Sequence, residues 1–247
     1  MNRIALLKYE LHSGVPKICV PILESGMPAI INEIKQVTAL PIDMVEWRMD
    51  CFFDNPVNAL PAIAQEVGVY PLLCTLRSKN EGGQAEGSCE QRAEILESII
   101  LSGKCQLIDI ELSLGEDIVK YLISCAQRNN VLTVISKHNY RETPSRGELV
   151  RTFQGMHELG GDLCKYAVMP HSSWDVLSLL EASLTVKEMG IYTVAIAMDE
   201  IGKISRIAGS YFGSCITFAQ GKNSSAPGQI PAEDLKEILN DIKPKQI

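Results

Sequence analysis

Eight short β-rich runs recur along the chain, each followed by a segment with helical spacing. No other feature narrows the fold as much. The runs lie near 17–22 (KICVPI), 42–49 (IDMVEWRM), 70–77 (YPLLCTLR), 107–112 (LIDIEL), 131–138 (VLTVISKH), 163–169 (LCKYAVM), 191–198 (IYTVAIAM) and 215–219 (CITFA). Their starts are roughly 24 to 37 residues apart, room for a helical crossover between parallel strands. Pro56, the Thr143-Pro144-Ser145 run and Pro231 with Glu233 and Asp234 mark three helix starts. Eight βα units in 247 residues suit a closed barrel, which uses about 250 residues as one domain. No GxGxxG turn follows the first strand, so a dinucleotide-binding open sheet is disfavoured. The expected architecture is a single (β/α)8 TIM barrel over 1–247, with 1–16 as an N-terminal extension or hairpin that closes one end.

Composition removes several function classes. Hydrophobic residues make up 46% and charged residues 21%, which argues against disorder. The net charge is −7, from 23 basic and 30 acidic residues, with no basic stripe, so no nucleic-acid partner is expected. No apolar run approaches the roughly 20 residues that span a bilayer, so no membrane partner is expected either. Lys8 and Glu10 interrupt the apolar N-terminus early, which makes it a poor signal peptide. The eight cysteines include no CxxC pair, and Cys74, Cys164 and Cys215 lie in apolar strand-like runs as small buried hydrophobes. A reducing cytoplasm fits that usage. Four histidines without ligand spacing give no metal site.

Strand alternation sorts the polar residues onto one face. Val45, Trp47 and Met49 share a face, and Glu46, Arg48 and Asp50 share the other. Thr75 pairs with Arg77, Asp109 with Glu111, Ser136 with His138, and Lys165 lies between Leu163 and Ala167. A barrel's outer face packs on helices, so these polar groups point inward near the strands' C-terminal ends, where barrel active sites sit. Burying such a set is costly unless the groups pair or meet a polar ligand, which suggests a small anionic substrate.

Lys165 has apolar neighbours on both sides and either snorkels into solvent or lies in a partly desolvated cavity. Desolvation and nearby cations favour the neutral amine, the form that attacks a carbonyl, so an inward Lys165 is a candidate imine-forming nucleophile. His138 closes the neighbouring strand, either as a structural group or as a proton-transfer partner beside an imine. SKNEGG after Arg77 reads as a mobile loop or a turn, and SSAPGQ at 224–229 as a turn or a lid.

The motifs EWRMD (46–50), TLRSKNEGG (75–83), SKHNYRETP (136–144), KYAVMP (165–170), SRIAGSYFGSCITFA (205–219) and SAPGQI (225–230) occur in that order. Together they resemble the type I 3-dehydroquinate dehydratase family, the Schiff-base class of the shikimate pathway. The resemblance implies an eight-stranded βα barrel, usually a homodimer, with no cofactor, metal or nucleotide. It implies a cytoplasmic lyase of aromatic amino-acid and chorismate biosynthesis that removes water from 3-dehydroquinate to give 3-dehydroshikimate. Lys165 falls on the imine-forming lysine and His138 on the general acid/base. Glu46, Arg48 and Arg77 fall on substrate-binding positions, and Arg206 on the arginine that holds the substrate carboxylate. Ser225 and Gln229 fall on lid residues that contact substrate, with Glu81 and Met198 in supporting positions. Three residues depart from the pattern: Pro21 where a serine is common, Asn139 for an aspartate, and Asp199 for a small residue. Another imine-forming barrel of the class I aldolase type, and an inactive barrel kept as a binding module, are the competing readings.

Overall fold

A computed structural model describes residues 7–8, 10–11, 16–222 and 226–242. Eight strands run in parallel: β1 (Lys17–Ile22), β2 (Met44–Arg48), β3 (Leu72–Thr75), β4 (Leu107–Glu111), β5 (Leu132–Asn139), β6 (Leu163–Val168), β7 (Thr193–Ala197) and β8 (Ile216–Phe218). Each pairs with its chain neighbour, β8 pairs with β1, and a parallel bridge between Thr193 and Ser214 brings β7 to β8. The result is a (β/α)8 TIM barrel with every observed strand overlapping its expected run.

The helices alternate with the strands: α1 (Met27–Thr38), α2 (Pro56–Val67), α3 (Cys89–Leu101), α4 (Glu116–Arg128), α5 (Arg146–Glu158), α6 (Ser173–Glu188), α7 (Asp199–Ile207), α8 (Gly209–Phe212) and α9 (Ala232–Asp241). The three expected helix starts are present. Asn55 accepts from Val57 N ahead of Pro56, Ser145 and Glu148 form a capping box on α5, and Pro231 precedes α9.

Two cores follow from the strand alternation. Outward residues such as Val20, Val45, Trp47, Ile110, Ile135 and Tyr166 pack with the helices. Inward rows are apolar at the start of the strands (Met44, Leu73, Leu107, Leu132, Leu163) and on β2–β6 become polar toward the end. The inner rows of β7 and β8 stay apolar, through Val194, Ile196, Met198, Ile216 and Phe218. The barrel therefore has one polar wall and one apolar wall at its C-terminal mouth.

The expected N-terminal hairpin is not what the described residues form. Residues 7–8 and 10–11 are helical, and the rest of 1–15 lies outside the described residues. Leu7 and Leu11, four apart, are buried and belong to the inner core cluster. That i, i+4 spacing makes a helical turn the local solution, where a hairpin strand would present alternate residues.

Candidate active site

Lys165 is 4% exposed, inside the barrel on β6. Its Nζ lies 3.4 Å from Asp109 Oδ2 and 3.9 Å from Glu46 Oε1, and 4.3 Å from the centroid of the Phe218 ring. Register sets its neighbour: Ser136 pairs with Lys165 and His138 with Ala167, so the histidine stands one inward position above the lysine on the adjacent strand. The charges beside Lys165 are carboxylates, whereas the sequence led us to expect cations there. One arginine shares Asp109 with Lys165 and is engaged by that carboxylate more closely than the lysine is.

That arginine is Arg77. Its Nη2 donates to Asp109 Oδ2 at 2.8 Å, and its Nη1 donates to Glu111 Oε1 and Ser136 Oγ, both at 3.0 Å. Burial disfavours the guanidinium charge, but Asp109 and Glu111 outweigh it and raise its pKa. Asp109 is likewise held below the usual carboxylate range: Arg77 and Lys165 outweigh its burial. Glu46 accepts from Thr75 Oγ1 at 2.8 Å. Asp109, Glu111 and Ser136 were placed on inward faces by their alternation, but the resemblance attached no role to them. Asp50, the last residue of EWRMD, holds Arg48 through two bonds of 2.8 and 2.7 Å and also accepts from Arg77 N and Gln84 N.

His138 is held by Glu81, which a short 3-10 turn after β3 carries. The ring Nδ1 lies 2.9 Å from Glu81 Oε2, and the same oxygen accepts the His138 backbone N–H at 3.0 Å. Burial, with Arg77, Lys165 and Arg48 nearby, pushes the imidazole well below its ordinary pKa. Burial and the charge of Glu111 push Glu81 up to about 7. Tyr140 lines the pocket beside His138, with its ring stacked at 6.5 Å. Asn139 faces elsewhere: its Oδ1 accepts from Arg141 N and Glu142 N and closes the turn.

The apolar wall comes from Ile196, Met198 and Phe218, below Arg206 and Gln229. Arg206, on α7, is 2% exposed. It donates to the carbonyls of Phe218 (3.2 Å) and Pro227 (3.1 Å), and its buried Nε has no hydrogen-bond partner among the described residues. No carboxylate pairs with it among them, and burial lowers its pKa to about 10. A buried, unneutralised guanidinium facing a pocket is a ready site for an anion. Gly228 presses on the turn after β7: a Cβ there would lie 2.2 Å from Asp199 O. Asp199 adopts φ +62, a left-handed conformation that side chains rarely take. Pro21 pairs with Glu46 in register and brings no hydroxyl. Ser225 lies outside the described residues.

One pocket thus gathers Glu46, Arg48, Arg77, His138, Lys165, Met198, Arg206 and Gln229, from five strand ends, a helix and the segment after β8. No group of three or more His, Cys, Asp or Glu among the described residues could hold a metal ion.

The family model for Type I 3-dehydroquinase matches residues 18–246. The chain belongs to this family. It is 39% identical to a 3-dehydroquinate dehydratase of Listeria monocytogenes, with 100% of both chains covered. A 3-dehydroquinate dehydratase of Clostridium botulinum is 38% identical, with 97% of each covered. Among solved structures, the type I 3-dehydroquinate dehydratase of Clostridium difficile, with covalently modified comenic acid, superposes with a TM-score of 0.90 at 36% identity and 94% coverage of each chain. The Geobacillus kaustophilus enzyme gives 0.87 at 33% identity, covering 92% of this chain and 91% of its own. No helix among the described residues is long and apolar enough to cross a membrane.

Proposed function

We propose that this chain is a type I 3-dehydroquinate dehydratase that removes water from 3-dehydroquinate through an imine on Lys165, with His138 as the general acid/base. One observation carries the reading: a buried lysine and a carboxylate-held histidine share a pocket with a buried arginine that has no acid partner among the described residues. Arg206 receives the substrate carboxylate, and Nε offers it an N–H that no other described residue uses. The polar wall, with Glu46, Arg48, Arg77 and Gln229, meets the hydroxyls, as does Ser225 from the lid. Met198 and Phe218 pack against the carbon face of the ring.

The Lys165 amine, once free of its proton, adds to the ring ketone. Protonation of the carbinolamine hydroxyl lets water leave, and the nitrogen lone pair forms the C=N bond. The iminium acidifies the adjacent C–H, and His138 takes that proton. The C–H electrons form an enamine, which expels the β-hydroxyl as His138 returns a proton to it. Water then adds to the conjugated iminium, which releases the enone and the lysine amine. With Glu81 ionised, Nδ1 keeps its proton against Oε2 and Nε2 is the basic nitrogen.

Adding 3-dehydroquinate should produce the ultraviolet absorbance of a conjugated enone, and borohydride with substrate should fix a stable adduct on Lys165. An aldolase-type barrel would also trap but would yield no enone, and an inactive barrel would do neither. Enone formation without an adduct on Lys165 would remove the imine step. We also infer a single-domain chain that acts as a cytoplasmic homodimer in the shikimate pathway. Trp174 and Leu177, exposed one turn apart on α6, supply an apolar patch for such a contact, and sedimentation equilibrium would test it.

A further inference from the structure

Arg92 does not line the pocket. It lies on α3 and is only 8% exposed, with its Nη1 2.7 Å from Glu111 Oε2. Glu111 is 2% exposed and uses both oxygens fully: Oε1 takes Arg77 Nη1 and Ser78 N, and Oε2 takes Arg92 and the Ser113 hydroxyl. Arg77 in turn holds Asp109, which meets Lys165. A chain of buried charges therefore runs from α3 to the candidate nucleophile.

We propose that Arg92 is a positioning residue for the dehydration: by neutralising one oxygen of Glu111, it sets how Arg77 is shared among Asp109, Glu111 and Glu81 and so tunes the Glu81–His138 pair. The inference rests on the function proposed above. Arg77 alone would face three buried carboxylates, Asp109, Glu111 and Glu81, at 2.8, 3.0 and 3.7 Å. Arg92 gives Glu111 a second cation and leaves Arg77 free to stay on Asp109. A purely structural reason for Arg92 is weak, because a buried ion pair seldom outperforms an apolar residue of similar volume. Helix α3 is already anchored by Leu96, Ile99 and Ile100.

The groups facing Glu81 are Arg77 at the end of β3, Asp109 and Glu111 on β4, the Ser113 hydroxyl and His138 on β5. Those facing His138 are Glu81, Arg77, Lys165, Arg48 and the stacked ring of Tyr140. Without Arg92, the charge of Glu111 bears on Glu81 with less compensation, so Glu81 holds its proton to higher pH. Without the Glu111 charge, Glu81 gives up its proton at lower pH.

Arg92→Met, Arg92→Lys and Glu111→Gln test this. Arg92→Met should lower kcat by about 10- to 100-fold with KM little changed, the signature of mispositioned groups. Its acid limb should move up by about 0.5–1 pH. Arg92→Lys should recover most of both, and Glu111→Gln should move the limb the opposite way. A lower Tm with wild-type kcat and pH profile in Arg92→Met would make Arg92 merely structural. If that variant does not fold, Glu111→Gln decides alone, and an unmoved or upward limb overturns the proposal. Nitrogen-15 NMR of His138 in the substrate-free variants reads the same titration without turnover. It separates a failure here from a wild-type chain that forms no enone.

Discussion

His138 meets one oxygen of Glu81 twice, through its backbone N–H at 3.0 Å and its ring Nδ1 at 2.9 Å. The first bond fixes the end of β5 against the turn after β3, and the second selects the ring tautomer. An ionised Glu81 accepts both protons and leaves Nε2 basic. A protonated Glu81 no longer offers Nδ1 a charged acceptor, so the tautomer with a basic Nε2 is held less strongly.

Because Glu81 titrates at about 7, the activity should rise with pH through that region. The acid limb of kcat should show an apparent pKa near that value. In Glu81→Gln the amide cannot change charge, so that limb should disappear, and kcat should fall by about 10²-fold as the histidine loses its anionic partner. A wild-type limb that persists in Glu81→Gln would assign it to another group.

Stability should follow the same group with an unusual sign. The folded state raises this carboxyl above its ordinary value, so between about 4.5 and 7 the native protein holds a proton that the unfolded chain has lost. Glu81 therefore makes the protein less stable as pH rises through that window. His138 acts oppositely: it is kept neutral by burial, so stability falls as pH drops below the ordinary histidine value and the unfolded chain gains a proton. Glu81→Gln should remove only the first dependence. Its Tm, relative to the wild type, should improve on going from pH 5 to pH 8, and thermal unfolding at the two pH values would check it.

The barrel was legible because eight β-rich runs alternate with segments of helical spacing, and Lys165 was legible because a charge between Leu163 and Ala167 breaks an apolar row. The wiring was not. Nothing in local sequence says that Arg77 is shared by β4 carboxylates, or that Arg92 reaches Glu111 across 19 positions. Those contacts depend on the pairing of β3 with β4 and on how α3 packs over them, which no local pattern encodes. The N-terminal turn was misread for a related reason. Leu7 and Leu11 fit a helix as well as a short strand, and in the helical residues described there both are buried against the inner core.

Gly83 should be intolerant of any side chain. A Cβ there would lie 2.0 Å from the backbone carbonyl oxygen of Arg77, so the loop must move. Gly83 N also donates to Ser78 O, and Gln84 N to Asp50, which ties that loop to Arg48. Gly83→Ala should cost about 1–3 kcal/mol of stability. It should also lower kcat/KM by more than tenfold, because Arg77 and Glu81 sit on the same loop. Urea unfolding and steady-state kinetics would measure the two effects, and a fully active Gly83→Ala would show that the loop relaxes without disturbing either residue.

Arg206 should show opposing effects on stability and binding. It is buried without an acid partner among the described residues, and its pKa of about 10 reflects the cost of keeping it charged there. Arg206→Leu removes that cost and fills the same apolar surroundings, so the substrate-free variant should melt at the wild-type temperature or above it. The same change deletes the carboxylate anchor, and KM should rise by about 10²-fold or more. Substrate should raise the Tm of the wild type but not of Arg206→Leu, since only binding to the native state shifts the unfolding equilibrium. A melting scan with and without 3-dehydroquinate tests both halves. A variant that loses stability while keeping its substrate response would place the anchor on another cation.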